Sequence, residues 1–378
     1  MESTKRLLIS TVIGSSVIVI GLLSIGIIAG RYTITRTFDK QIQRSNEAST
    51  LGNLLRNKEA RRSVASAYYE SDNIIEKLDN ISWAVPNIPS PFVGTAPMPG
   101  LHGGAHINSM QFRAAKEVEI PKAPHTYRIF ITGGSTAYGS GAPSDDRTIA
   151  GYLDKILSNR LSPVTKLKYE VFTMANPAWA STQERIIIEN VLSELEPDMI
   201  ISFSGNNDVH WGKLGRNVLW FRSYADEFFL GLIKDVYKFT NQPDIPEITH
   251  IDKSPIPPPI VAKRVFKNVK LSSFALSESK VDYVFVLQPV LAVTNKRLTK
   301  REQAGLKDKD YFRQCYALFD MMLKAFHSEH FQYVNLSEVF DRFGDQEEIF
   351  ADSFHFGDKG NEIIAENIYL QVKERIAR

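Results

Sequence analysis

After Ala123 the chain alternates short apolar runs with helix-length amphipathic segments, and this alternation restricts the fold more than any other feature. Tyr127–Thr132, Tyr169–Met174, Met199–Phe203, Val281–Leu287 and Phe331–Leu336 read as strands, while Thr148–Leu161, Thr182–Leu195, Val261–Leu276, Asp310–His327 and Gly360–Ile376 read as helices. Strands that are apolar at almost every position must be covered on both faces. The pattern therefore predicts a five-stranded parallel sheet between two helical layers, a three-layer α/β/α domain of flavodoxin-like type over residues 124–378. Ligands of such sheets bind beyond the carboxyl ends of the strands, so the residues that end each apolar run are the ones to inspect.

Composition narrows the possible functions. A hydrophobic fraction of 43% with 23% charged residues excludes disorder throughout. The 45 Lys and Arg nearly balance the 43 Asp and Glu, for a net charge of +2, which leaves no surplus to hold a phosphate backbone and argues against a nucleic-acid partner. Cys315 is the one cysteine, so an intramolecular disulfide and a Cys-x-x-Cys zinc site are both excluded.

The amino-terminal part is different in kind. Leu7 to Gly30 carries no charge and is long enough to cross a bilayer core of about 30 Å as a helix. Ile28-Ala29-Gly30-Arg31 is a poor cleavage site, so the run reads as an uncleaved N-terminal transmembrane helix behind a short tail over residues 1–6. Gly26 and Gly30 form a GxxxG that would allow a homodimer. Lys5 and Arg6 before the run, against Arg31, Arg36, Lys40 and Arg44 after it, leave the orientation undecided. Residues 31–85 read as a polar helical stalk and residues 86–123 as a Pro- and Gly-rich extended lead-in.

Three strand-end segments carry chemistry. The first run leads into Gly133-Gly134-Ser135, where glycines let a serine hydroxyl stand clear and the next amides face an oxyanion; the same turn could cradle a phosphate. The third leads into Ser204-Gly205-Asn206-Asn207-Asp208, which offers a neutral amide donor and an aspartate able to fix the loop, or is a plain turn. Asp352-Ser353-Phe354-His355 stands before the last helix, with an aspartate able to orient an imidazole as general base; the alternatives are a surface histidine or isolated metal ligands.

Together these blocks resemble the SGNH/GDSL hydrolase family, in its membrane-anchored branch, over roughly Ala123 to the end. Ile107–Arg113 and the strand Val284–Pro289 are similar to that branch as well. The resemblance implies catalytic Ser135, His355 and Asp352, with Ser135 as nucleophile, His355 as base and Asp352 as its orienting carboxylate. It implies an oxyanion hole from the amides of Ser135 and Ala178 and the side chain of Asn207, supported by Gly134, Gly205 and Asp208. Two positions depart from the family: Gly-Gly-Ser replaces Gly-Asp-Ser, and Ala178 stands where the second block usually has glycine.

The implied activity is a membrane-anchored serine esterase that removes acyl groups, O-acetyl above all, from a small molecule or a cell-surface glycan, with no cofactor or metal and with the domain on the extracytoplasmic side. An O-acyltransferase would use the same residues, and a non-catalytic binding protein would keep the fold alone. The stretch over about 209–260, with Trp211, Trp220, Phe221, Phe228, Phe229 and Tyr237, reads as an insertion that forms a lid, a sugar-stacking wall, an interfacial helix or a packed hairpin. His210 and Trp211 are candidates for the pocket wall, as is Trp179.

Overall fold

Burial on both faces turns the five apolar runs into one parallel sheet. In the computed structural model the described residues are 16–32, 36, 58–78, 81, 85–216, 233–240 and 254–377. Four short strands come first: β1 (Asn87–Ser90), β2 (Gly94–Pro97), β3 (Gly100–His102) and β4 (Ala105–Ile107). The sheet itself comprises β5 (Thr126–Gly133), β6 (Lys168–Ala175), β7 (Met199–Ser204), β8 (Asp282–Leu287) and β9 (Phe331–Asn335), in the order β6-β5-β7-β8-β9 with every pair parallel.

Alternation along β5 divides the core. Ile129 and Ile131 pack with Leu153 and Ile368, from the helices Ile149–Ile156 and Asp358–Ile376, on one face. Phe130 packs with Ile187, Val265 and Phe319, from the helices Ser181–Asn190, Pro258–Glu278 and Lys309–Lys324, on the other. The first of these helices starts where Thr148 accepts a hydrogen bond from the Gly151 amide at 3.0 Å, a side-chain N-cap, and it ends in a π-helical turn over Leu157–Leu161. Because β6 lies on one side of β5 and β7 on the other, the loops leaving these three strands converge at the switch point of the sheet.

The lead-in is more ordered than an extended approach. It folds into two antiparallel hairpins, β1–β2 and β3–β4. The second turns at Gly103 and Gly104, both at positive φ (55° and 81°), a conformation that favours glycine and closes a two-residue hairpin. The described part of the expected stalk, residues 58–78, is helical over Lys58–Ala65 and Ser71–Lys77, but it does not stand free: Val64, Tyr68, Ile74 and Leu78 share a buried cluster with Ala351. Burying these apolar side chains against the domain outweighs leaving them in water.

The chain separates into two compact units, one of Met1–Ala48 with Phe228–Pro246 and the other of Ser49–Glu227 with Glu247–Arg378. In the first, residues 16–32 and 233–239 are helical. Of the expected transmembrane helix, only the part from residue 16 lies among the described residues, and among those residues no helix is long and apolar enough to cross a membrane. Residues 7–15 of the uncharged run lie outside the described residues, so only its part from residue 16 is seen as helix, with Val17, Leu22, Ile25 and Ile28 exposed. Within the insertion, Trp220, Phe221, Phe228 and Phe229 also lie outside the described residues.

Candidate active site

Ser135 opens a four-residue helix, Ser135–Tyr138, at the carboxyl end of β5. Its Oγ lies 2.7 Å from Nε2 of His355, and Nδ1 of His355 lies 2.7 Å from Oδ2 of Asp352. The other carboxylate oxygen of Asp352 accepts hydrogen bonds from the amides of Phe354 and His355, both at 2.8 Å. The serine, the imidazole and the carboxylate thus form one continuous relay assembled from opposite ends of the domain.

The loop that carries two of its members is a small closed hairpin. Phe350 and Phe356 form an antiparallel bridge, and the Ala351 amide donates to the His355 carbonyl at 2.7 Å. The side chain of Asp352 is 7% exposed and that of His355 18%, so the imidazole alone opens toward the cleft. Burial by itself would raise Asp352, but the facing His355 and the two amides bring it down to about 2, which keeps it a carboxylate. Burial would lower His355, and the Asp352 charge together with its hydrogen bond raises it instead.

Two donors stand at the Ser135 turn. Its own amide begins a helix and has no intrahelical acceptor. Asn206 Nδ2 donates to Oδ1 of Asn207 at 3.1 Å, which turns the Asn207 Nδ2 toward the nucleophile turn. That nitrogen donates one hydrogen to the Trp179 carbonyl at 2.7 Å and keeps a second. It lies so close to Gly134 that a Cβ there would come within 2.2 Å of it, which is the reason position 134 is glycine. Gly205, at φ 115°, likewise turns the chain out of β7 in a conformation that side chains rarely adopt.

Ala178, where the resemblance leads one to expect glycine, takes a glycine conformation, φ 74°. A left-handed alanine costs roughly 1–2 kcal/mol, and neighbours hold it there. Its carbonyl accepts from the Trp211 indole at 3.1 Å, while the Trp179 amide closes the turn onto the Asn176 carbonyl at 3.1 Å. Asp208 fixes the next segment: it accepts from the Ser181 amide at 2.9 Å and the Ser181 hydroxyl at 2.7 Å. Burial raises Asp208 against these two bonds.

The wall residues divide. Trp179 is buried and its indole donates to the Thr95 carbonyl at 2.9 Å, so it belongs to the core. Trp211 is buried as well. Half-buried His210 stacks edge-on against Trp211 and Phe354, with ring centres 5.1 and 5.7 Å apart, and its burial lowers its pKa.

Arg113 is a contributor that its motif did not reveal. Buried in the lead-in, its Nη1 donates to the carbonyls of Tyr138 at 3.1 Å and Gly139 at 2.8 Å, where the Ser135 helix ends, and its Nε pairs with Asp145 at 3.0 Å. A cation at a helix C-terminus is attracted by the negative end of the helix dipole and by the carbonyls that end it. No local pattern marks it, because the contact joins residues far apart in sequence.

No family model and no curated protein sequence matches the chain. Among solved structures it is similar to a lipase from a goat rumen metagenome at 9% identity and a TM-score of 0.39, over 65% of this chain and 96% of the other. It is similar to an acetyl xylan esterase at 16% identity and 0.38, over 65% and 99%. A lipase/acylhydrolase from Enterococcus faecalis gives 13% identity and 0.40, over 66% and 96%. Likeness at this level assigns no activity.

Proposed function

We propose that this protein is a serine esterase of SGNH/GDSL type, with Ser135 as nucleophile, His355 as general base and acid, and Asp352 as the carboxylate that orients the imidazole. The observation that carries this reading is the unbroken relay from Ser135 Oγ through both ring nitrogens of His355 to Asp352, at 2.7 Å in each step. Ser135 Oγ bonds to the ester carbonyl carbon as its proton passes to His355 Nε2. The resulting oxyanion is held by the amides of Ser135 and Ala178 and by Asn207 Nδ2. When the tetrahedral intermediate collapses, the ester C–O bond breaks and His355 returns the proton to the leaving oxygen. Water, deprotonated in turn by His355, then releases the acid and restores the serine.

The acyl group this reading favours is acetyl carried on a cell-surface glycan, following the family resemblance. The uncharged run Leu7–Gly30 serves as the membrane anchor, a role supported by the exposure of Val17, Leu22, Ile25 and Ile28, and a surface glycan as substrate puts the domain outside the cytoplasm.

The test is hydrolysis of p-nitrophenyl acetate and of an acetylated polysaccharide by the full chain and by Ser135→Ala. A loss of at least about 1,000-fold in kcat with an unchanged fold is expected for Ser135→Ala. Equal rates in the two proteins would refute the assignment.

A further inference from the structure

We propose that residues 58–78 form a positioning strap for the catalytic relay, holding the loop behind the nucleophile through Tyr68 and the loop that bears Asp352 and His355 through Ser63 and the backbone of Ser66, Ala67 and Tyr69. The proposal rests on the esterase reading of Ser135.

The nucleophile side depends on Tyr68. Its ring is buried, and its hydroxyl donates to the Gly141 carbonyl at 2.8 Å, six residues beyond Ser135. The same loop is joined to the nucleophile by the Ser140 amide, which donates to the Ser135 carbonyl at 2.9 Å. Burial raises the Tyr68 hydroxyl well above its ordinary value, with the charges of Asp358 and Asp352 adding to the effect, so it remains a donor throughout the working range.

The acid-base side is held at several points. Ser63 Oγ donates to Glu348 at 2.6 Å and accepts from Arg301 Nε at 3.1 Å. Arg301 in turn pairs with Glu348 at 2.6 Å and donates to the Ala351 carbonyl at 2.8 Å, directly before Asp352. Ala351 is fully buried in the cluster that contains Val64 and Tyr68. On the far side of the loop, Gly357 lies so close to the strap that a Cβ there would come within 2.1 Å of the Ala67 carbonyl oxygen. Lys359 Nζ donates to the Ser66 carbonyl at 2.9 Å, and the Tyr69 amide donates to Asp358 at 3.0 Å.

One short segment therefore grips both loops whose separation sets the Ser135–His355 distance. Displacement of reacting groups by about 1 Å can cost on the order of 100-fold in rate, so a partial loosening is read in kcat.

The test uses the full chain with Tyr68→Phe and, separately, Ser63→Ala, each of which removes one hydroxyl and leaves the packing in place. Lys324→Gln, an exposed residue that pairs with Asp320 on its own helix, is the control with unchanged kcat. On p-nitrophenyl acetate both variants are expected to lose about tenfold in kcat, with KM within about twofold of wild type and an unchanged far-UV spectrum. Ser63→Ala is further expected to move the acid limb of kcat/KM to lower pH, because a loosened Asp352 raises His355 less.

Wild-type kcat and an unmoved acid limb in both variants, beside a wild type whose turnover depends on Ser135, would reduce residues 58–78 to packing and overturn the strap. A wild type without Ser135-dependent turnover would overturn the esterase reading and the strap with it, so the two failures differ in which protein is silent.

Discussion

Asp352 is bound by two backbone amides before it meets His355, and this decides how the site responds to pH. A base must be neutral to accept the Ser135 proton, so kcat/KM falls as pH drops through the His355 pKa. Because Asp352 raises that pKa above the ordinary histidine value, the acid limb is expected above where a free imidazole titrates. Asp352→Asn removes the charge that raises His355 and leaves the burial that lowers it, so the limb moves to lower pH while plateau kcat falls on the order of 10,000-fold. A pH profile of the variant that keeps the wild-type limb would contradict this coupling. The meeting of Ser135, Asp352 and His355 was legible in the sequence because Ser135 stands in a short motif at a strand end and the other two in a short motif before the last helix. Arg113 was not, since the carbonyls it binds belong to residues that only the folded chain brings to it.

The hairpin that carries Asp352 and His355 has its own foundation in the short helix Lys300–Gly305, which the apolar pattern did not mark. Glu302 accepts from the amides of Ile349 at 3.2 Å and Phe350 at 3.3 Å, and pairs with Lys296 at 2.7 Å, with both side chains fully buried. Removing one partner of a buried pair strands the other charge, so Glu302→Ala is expected to destabilise the domain by about 3–5 kcal/mol in urea unfolding. A loss below about 1 kcal/mol would show that this pair does not support the loop. The main strands and helices were readable to within a few residues, because two-sided burial writes an apolar run at each strand and a periodic stripe at each helix. The hairpins β1–β2 and β3–β4 were not, since strands of three or four residues stabilised by turn glycines leave no periodicity to read.

In the unit that carries the sheet, the switch point brings Ser135, the Ala178 turn and Asn207 to one place, while the last loop supplies His355 and Asp352 from the far end of the chain. Residues 58–78, which read as stalk from their polarity, are part of that catalytic unit because the apolar face they bury includes Ala351. The boundaries drawn from composition after residues 85 and 123 therefore fall inside this unit, which begins earlier than its first long strand. On the esterase reading proposed above, Ser135 is an activated nucleophile. Treating the full chain with a fluorophosphonate and mapping the adduct by peptide mass spectrometry tests it most directly. The structure predicts one adduct, on Ser135, formed far more slowly in His355→Ala; labelling at another serine, or an equal rate in the two proteins, would contradict it.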